Sequence, residues 1–251
     1  MTSSGGLPAG SVRCLDAGDS AVVVEFGDGI DAATNARVLA LDAVIQVARQ
    51  QSRLAGVVET VPTYRSLLVQ TDPFVFNQGA FETFVRALVP GLDGAPNRGR
   101  RWLVPVVYGG AFGIDLDDVA ARHKLTPAQV IDRHAGAIYR VYMIGFMPGF
   151  TYLGGLDPSI ATPRRLDPRP MTPAGTVSIG GIQALVAGAA MPSGWHLLGR
   201  TPVVTFMAGR VPAVLFAPGD EIQFEPVGAA QWAALEAAAV SGDPVATVTD
   251  A

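Results

Sequence analysis

Between Val12 and Phe26 the chain alternates apolar and polar positions and then runs apolar, and the β-branched stretch Ala21-Val-Val-Val-Glu-Phe26 predicts a strand. After Gly27-Asp-Gly29 the period lengthens. From about Asp31, Val38, Leu41, Ile45 and Ala48 fall three and four residues apart, the spacing of one helix face. Val57-Val58 and Ser66-Leu-Leu-Val-Gln70 flank Pro-Thr-Tyr and predict a strand pair, while Phe81, Phe84, Val85 and Leu88 share one face of a helix over 76–88. Strands alternating with helices predict a small ferredoxin-like α/β domain over 1–90. The run from Pro90 to Arg101 is rich in breakers and marks 91–101 as a linker.

Trp102-Leu-Val-Pro-Val-Val-Tyr108 opens the second domain as a strand. Two short helices follow, from about Leu116 to His123 and from Pro127 to Ala137. The second has a capping-box start: Thr126 at the N-cap, Pro127 at the first helical position and Gln129 reaching back. Beyond Tyr139, short apolar runs separated by Gly and Pro predict an all-β barrel or sandwich, completing a domain over 102–228. The Ala-rich stretch from Ala229 to Val240, with Trp232 and Leu235, predicts a helix in a C-terminal segment over 229–251. The fold class expected is α+β.

Composition narrows the chemistry. The formal charge is −4, which excludes a general nucleic-acid binder, whose affinity rests on a field of cations over phosphates. The single cysteine, Cys14, forms no internal disulfide and reads as a structural thiol. Residues 1–7 show neither the basic n-region nor the apolar h-region of a leader, and the apolar stretch from Val203 to Pro218 is interrupted before membrane-spanning length, so a soluble cytoplasmic protein is expected. Lys124 is the only lysine and no Gly-Lys-Ser/Thr occurs, which excludes a P-loop.

Several motifs have bland readings beside the functional ones. Gly27-Asp-Gly-Ile-Asp-Ala32 loosely matches a dinucleotide fingerprint, but lacks the ribose-binding acid and further βαβ repeats, so a plain strand-to-helix turn is expected. Residues 115–134 have the rhythm of a helix-turn-helix, but the second helix offers Asp132 beside Gln129 and Arg133 in an acidic protein, so a packed helical hairpin is expected. His123, His134 and His196 lack metal-ligand spacing, and no metal site is expected. Ser178 in Gly175-Thr-Val-Ser-Ile-Gly180 narrowly misses the nucleophile elbow.

Three clusters carry the strongest signal. Gly145-Phe-Met-Pro-Gly-Phe-Thr-Tyr-Leu-Gly-Gly155 places rings among glycines, a composition suited to the wall of a small-molecule pocket or to a core turn. The proline-stiffened run from Thr162 to Gly175 carries Arg164, Arg165 and Arg169, guanidiniums suited to carboxylate or phosphate, with Asp167 as their alternative solvated partner. Ser178-Ile-Gly-Gly-Ile-Gln183 and Pro192-Ser-Gly-Trp-His-Leu-Leu-Gly-Arg-Thr-Pro202 offer hydroxyl and amide donors beside an indole.

In that order these clusters resemble the KipI/PxpB family, also called allophanate hydrolase subunit 1. The resemblance extends to Gly18-Asp-Ser-Ala-Val-Val-Val-Glu-Phe-Gly27, Glu59-Thr-Val-Pro-Thr-Tyr-Arg-Ser-Leu-Leu-Val69 and Pro105-Val-Val-Tyr-Gly-Gly110. It implies an α/β N-terminal domain followed by a cyclophilin-like β-barrel. It also implies one component of an ATP-dependent 5-oxoprolinase, active in complex with two partners, one of LamB/YcsF type and one of KipA/PxpC type, with ATP as cosubstrate and Mg accompanying it. The alternatives it carries are a histidine-kinase inhibitor and a component of an allophanate or other amide hydrolase. On this resemblance Ser178, Gln183, Arg164 and Arg165 are the expected catalytic residues, and Phe146, Pro148, Gly149, Phe150, Tyr152, Gly180, Gly181, Trp195 and Arg200 the expected substrate- or nucleotide-binding residues. The chain departs from the family pattern at Ala184-Leu-Val-Ala-Gly188, where Thr-Gly-Val/Ile-Tyr-Pro is usual, and at Ser193, where Gly is usual.

Overall fold

The computed structural model describes residues 11–92, 94 and 99–249, so the leader reading of residues 1–7 and part of the linker reading lie outside the described residues. Two compact units divide near Asn97.

The first unit holds strands β1 (Arg13–Asp16) and β2 (Ala21–Glu25), helix α1 (Ala32–Gln50), strands β3 (Val57–Pro62) and β4 (Ser66–Thr71) and helix α2 (Gln78–Leu88). All neighbours in the sheet, ordered β1-β2-β4-β3, are antiparallel. Alternation along the central strands sends Val22, Val24, Leu67 and Val69 to one face, where they pack on Val38, Leu41 and Ile45 of α1 and Phe81 and Val85 of α2. Strand β4 lies between β2 and β3, the ferredoxin-like arrangement. The remaining edge position, beside β2, is filled by β1 from the start of the unit rather than by a strand after α2. Asp31 caps α1 by accepting the Thr34 N–H, and Asn77 caps α2 by accepting from Ala80. The turn between β2 and α1 is a structural one: Asp28 on it pairs with Arg13 and Arg65. Cys14 packs half-buried against this core, and burial pushes its thiol pKa up.

The second unit begins with β5 (Arg101–Tyr108), α3 (Leu116–His123), α4 (Pro127–Gly136), β6 (Ile138–Ile144) and β7 (Thr151–Gly154). It continues through β8 (Arg169–Thr172), β9 (Thr176–Gly180), β10 (Gln183–Val186), β11 (Met191–Ser193), β12 (His196–Arg200) and β13 (Glu221–Pro226) to α5 (Trp232–Val240) and β14 (Thr247–Thr249). Strands β12-β9-β10-β7-β6-β13-β5 are hydrogen-bonded in that order, and β5 returns to β12, closing a seven-strand barrel. Its interior is solid. Val104, Val106, Tyr139, Val141, Leu153, Val177, Ile179, Ala184, Val186, Leu198, Ile222 and Phe224 fill it as one buried cluster. Helices α3 and α4 contribute Leu116, Val119, Val130 and Ala135 to the same cluster, so the 115–134 segment is a packed hairpin with the expected Thr126/Gln129 capping box. Strand β14, which no pattern in the sequence predicts, adds antiparallel to β5 with Thr249 opposite Arg101. No helix among the described residues is long and apolar enough to cross a membrane.

Candidate functional site

Because the barrel interior is filled, the site is built on its outer wall. Neighbouring strands align Tyr152, Leu185, Ser178 and Leu197 in one row across β7, β10, β9 and β12. The residues alternating with them point inward, so this row faces out. Over it lies a second apolar cluster of Phe150, Leu185, Ala187, Met191 and Trp195, to which the separate two-stranded ribbon β8–β11 contributes Met191. Two of the departures from the family pattern, Leu185 and Ala187, belong to this layer, whereas Ala184 and Val186 face the barrel interior.

A cavity of about 400 Å³ opens here, within the usual size range of small-ligand sites. One wall is the β6–β7 turn. Phe146 there takes a left-handed backbone (φ 71°), a conformation costing a non-glycine residue roughly 1–2 kcal/mol, and its ring stays 74% exposed. From it a chain of ring contacts runs Phe146–Phe150–Tyr152–Trp195 at centroid distances of 5.6, 4.8 and 6.4 Å. Burial pushes the Tyr152 pKa up, and the Arg164 charge opposes the rise. Tyr152 thus keeps its hydroxyl proton at neutral pH.

The opposite wall is the arginine loop, which is tied down at its start. His123 Nε2 lies 3.0 Å from Thr162 Oγ1, His196 Nε2 donates to the Pro163 carbonyl at 2.9 Å, and the Arg165 N–H donates to the Gly194 carbonyl at 2.7 Å. Two of the three histidines therefore anchor this loop. Arg164 extends over Trp195, its guanidinium carbon 5.1 Å from the ring centroid. Arg165 and Arg169 turn instead to the buried carboxylate of Asp115, and Asp167, the partner considered from sequence, forms no ion pair with them among the described residues.

Phe146, Phe150, Tyr152, Arg164, Arg165 and Trp195 thus converge on one cavity. Gly180 lies under Trp195, and Gly181 (φ 63°) makes the β9–β10 turn. Ser178 belongs to the outer row, but its Oγ is buried without a hydrogen-bond partner and does not line the cavity. Gln183 sits beside Gly180 on the same face, also outside the lining. Pro148 and Gly149 pack away from it: a Cβ on Gly149 would come within 2.5 Å of Thr205 Oγ1, and one on Gly188 within 2.4 Å of the Pro148 carbonyl. Arg200 lies elsewhere, donating to the Ala174 carbonyl and stacking on Trp232 of α5 at 4.8 Å. Sequence reasoning overlooked Asp115, whose partners stand 50 or more residues away, and the Met191 and Pro168 walls.

The chain matches the family described as carboxyltransferase domain, subdomain C and D, over residues 12–216. It is 40% identical over 219 residues to the 5-oxoprolinase B subunit of Bacillus subtilis (82% of this chain, 89% of that protein). It is 41% identical over 180 residues to the protein of that name from Haemophilus influenzae (70% and 83%). Among solved structures, TTHA0988 is similar with a TM-score of 0.71 and 32% identity over 87% of this chain, which spans 40% of that longer one. The urea amidolyase of K. lactis has a TM-score of 0.81 at 23% identity over 98% of this chain and 17% of its own length, a likeness of fold. With the barrel and its outer-wall cavity, these matches place the chain in the carboxyltransferase C/D-domain family and, within it, in the KipI/PxpB family to which the 5-oxoprolinase B subunits belong.

Proposed function

We propose that this chain is the B-type subunit of an ATP-dependent 5-oxoprolinase and supplies part of the binding site for the cyclic amide. The observation that carries the reading is the identity of about 40% over most of both chains with curated 5-oxoprolinase B subunits. The cavity supports it: aromatic walls suit a small flat ring, and a cation beside them suits an acid.

A lactam is a poor electrophile. Transfer of the ATP γ-phosphoryl group to its carbonyl oxygen, with release of ADP, would activate the carbonyl carbon; addition of water and cleavage of the C–N bond would open the ring to an acyl phosphate, and a second water would release phosphate and leave glutamate. In this reading Arg164 meets the anionic part of the substrate with Arg165 beside it, and Ser178 and Gln183, which stand outside the cavity lining, would orient its walls rather than touch the reacting atoms.

Two components must come from outside the cavity. Its lining holds no Asp, Glu or His to act as general base. Among the described residues no group of three or more His, Cys, Asp or Glu is placed to hold a metal ion, and the cavity lining offers no carboxylate to the magnesium that would accompany a nucleotide. We assign the base and the nucleotide site to the LamB/YcsF-type and KipA/PxpC-type partners, with the cavity close to the contact with the latter. Coexpression of the three chains and an assay of oxoproline-dependent ATP hydrolysis test this. Activity is expected from the assembled complex and little from this chain alone. An inactive, correctly assembled complex overturns the reading, and inhibition of histidine-kinase autophosphorylation by the chain would favour the binding-protein alternative.

A further inference from the structure

The guanidiniums of the arginine loop are not equivalent. Asp115, whose side chain is 2% exposed, accepts from Arg169 Nη2 at 2.5 Å with Oδ1 and lies 3.5 Å from Arg165 Nη1; its Oδ2 accepts the Leu197 backbone N–H at 2.8 Å. The single carboxylate offsets one of these two positive charges: it closes on Arg169, stands farther from Arg165, and ties both to strand β12. Arg164 makes no ion pair among the described residues; it lies over the Trp195 ring, with Tyr152 near enough to feel its charge. No carboxylate lines the cavity. A negative charge entering it meets two guanidiniums, Arg165 beside the Asp115 carboxylate and Arg164 with no carboxylate beside it, held against an indole face.

We infer that Arg164 is the principal anion-recognising group of this cavity, that its ligand is a small flat ring bearing one carboxylate, and that Asp115 is a positioning residue that fixes the loop so that Arg164 stands over Trp195. The choice of 5-oxoproline as the ring rests on the function proposed above; the charge assignment does not. Of the two arginines that line the cavity, Arg165 already shares the Asp115 carboxylate and Arg164 does not, so one guanidinium is free to pair a singly charged carboxylate, and phosphate is the competing probe.

The test uses the full chain with labelled indoles. Its three tryptophans, Trp102, Trp195 and Trp232, give separate N–H signals, and Trp195→Phe assigns the relevant one. The probes are 5-oxoproline, pyrrolidin-2-one (the same ring without the carboxylate), 2-furoate (a different ring with one) and inorganic phosphate. Saturable movement of the Trp195 signal is expected with 5-oxoproline and affinity about tenfold or more weaker with pyrrolidin-2-one, tenfold corresponding to ~1.4 kcal/mol. Arg164→Gln, at an exposed side chain that the fold does not use, should remove that discrimination, and Arg165→Gln should change affinity by less than about threefold. Asp115→Asn should displace the Trp195 signal before any ligand is added and weaken binding although Arg164 is intact, with partial recovery in Asp115→Glu.

The inference is overturned if Arg164→Gln leaves 5-oxoproline and 2-furoate binding unchanged, if pyrrolidin-2-one binds as tightly as the acid, if phosphate binds more tightly than either carboxylate, or if neither carboxylate binds. Binding of 2-furoate but not 5-oxoproline through Arg164 would leave the subsite standing and remove the substrate assigned above.

Discussion

Gly180 and Trp195 form a fitted pair: a methyl group built on Gly180 would lie 2.7 Å from Trp195 Cδ2 and 3.0 Å from Cε3, closer than non-bonded carbons approach. The backbone of β9 is thus the bed of the indole, which is itself 94% buried and carries Arg164 on its face. Gly180→Ala should push the ring outward, destabilise the chain by about 1–3 kcal/mol through overpacking, and shift the Trp195 signal. Thermal unfolding with indole spectroscopy checks it; an unmoved Trp195 would sink the idea.

Removing the shared carboxylate should be costly. Asp115→Ala leaves two guanidiniums without their partner and the Leu197 N–H without its side-chain acceptor, and a loss of about 3 kcal/mol is expected from breaking so buried a network. Urea denaturation of the variant against Asp167→Ala, expected to stay within about 0.5 kcal/mol of the parent, separates the buried carboxylate from the exposed one.

Acid should destabilise the second unit through His134. The ring is fully buried, stacks on Phe224 at 4.8 Å and lies 2.8 Å from the Tyr108 hydroxyl, and burial lowers its pKa from 6.5 to about 3. Below pH 6.5 the unfolded chain binds a proton that the folded chain refuses until about pH 3. Stability should therefore fall across that window by up to about 1.4 kcal/mol per pH unit and show no contribution from this group above it. His134→Gln should be less stable than the parent at neutral pH, with a flatter acid limb in denaturation curves recorded between the two values.

Arg200 provides a control for the site. Its contacts are with Ala174 and Trp232, so Arg200→Ala should loosen α5 and lower the melting temperature by a few degrees while leaving ligand affinity unchanged. A tenfold loss of affinity in a folded Arg200 variant would move the site toward α5.

Periodic burial made much of the fold legible: Val38, Leu41, Ile45 and Ala48 are each buried on α1, and the Thr126 capping box is present as read. The β8–β11 ribbon was hidden because its two strands are short, stand apart in sequence with β9 and β10 between them, and each contain proline, Pro170 and Pro192, which reads against a strand. Strand β14 is three residues long, too short to show alternation. At the site, residue types announced aromatic and cationic walls, but their division of labour depended on Asp115, supplied from 50 positions away by a segment whose local pattern speaks only of a helix start. Arg200 was misleading for the converse reason: five positions from Trp195 in sequence, it serves another part of the surface.

The pairing of Thr249 with Arg101 has a further consequence. Backbone enters and leaves the barrel unit about one strand spacing apart, roughly 5 Å. Such a module behaves as a cassette: a host polypeptide accommodates it with short connectors, and its own ends join without strain while new ends open at an exposed tip such as Leu166. A circular permutant opened at Leu166 should close the same seven-strand ring, and it would sever the arginine loop while leaving the packed interior whole.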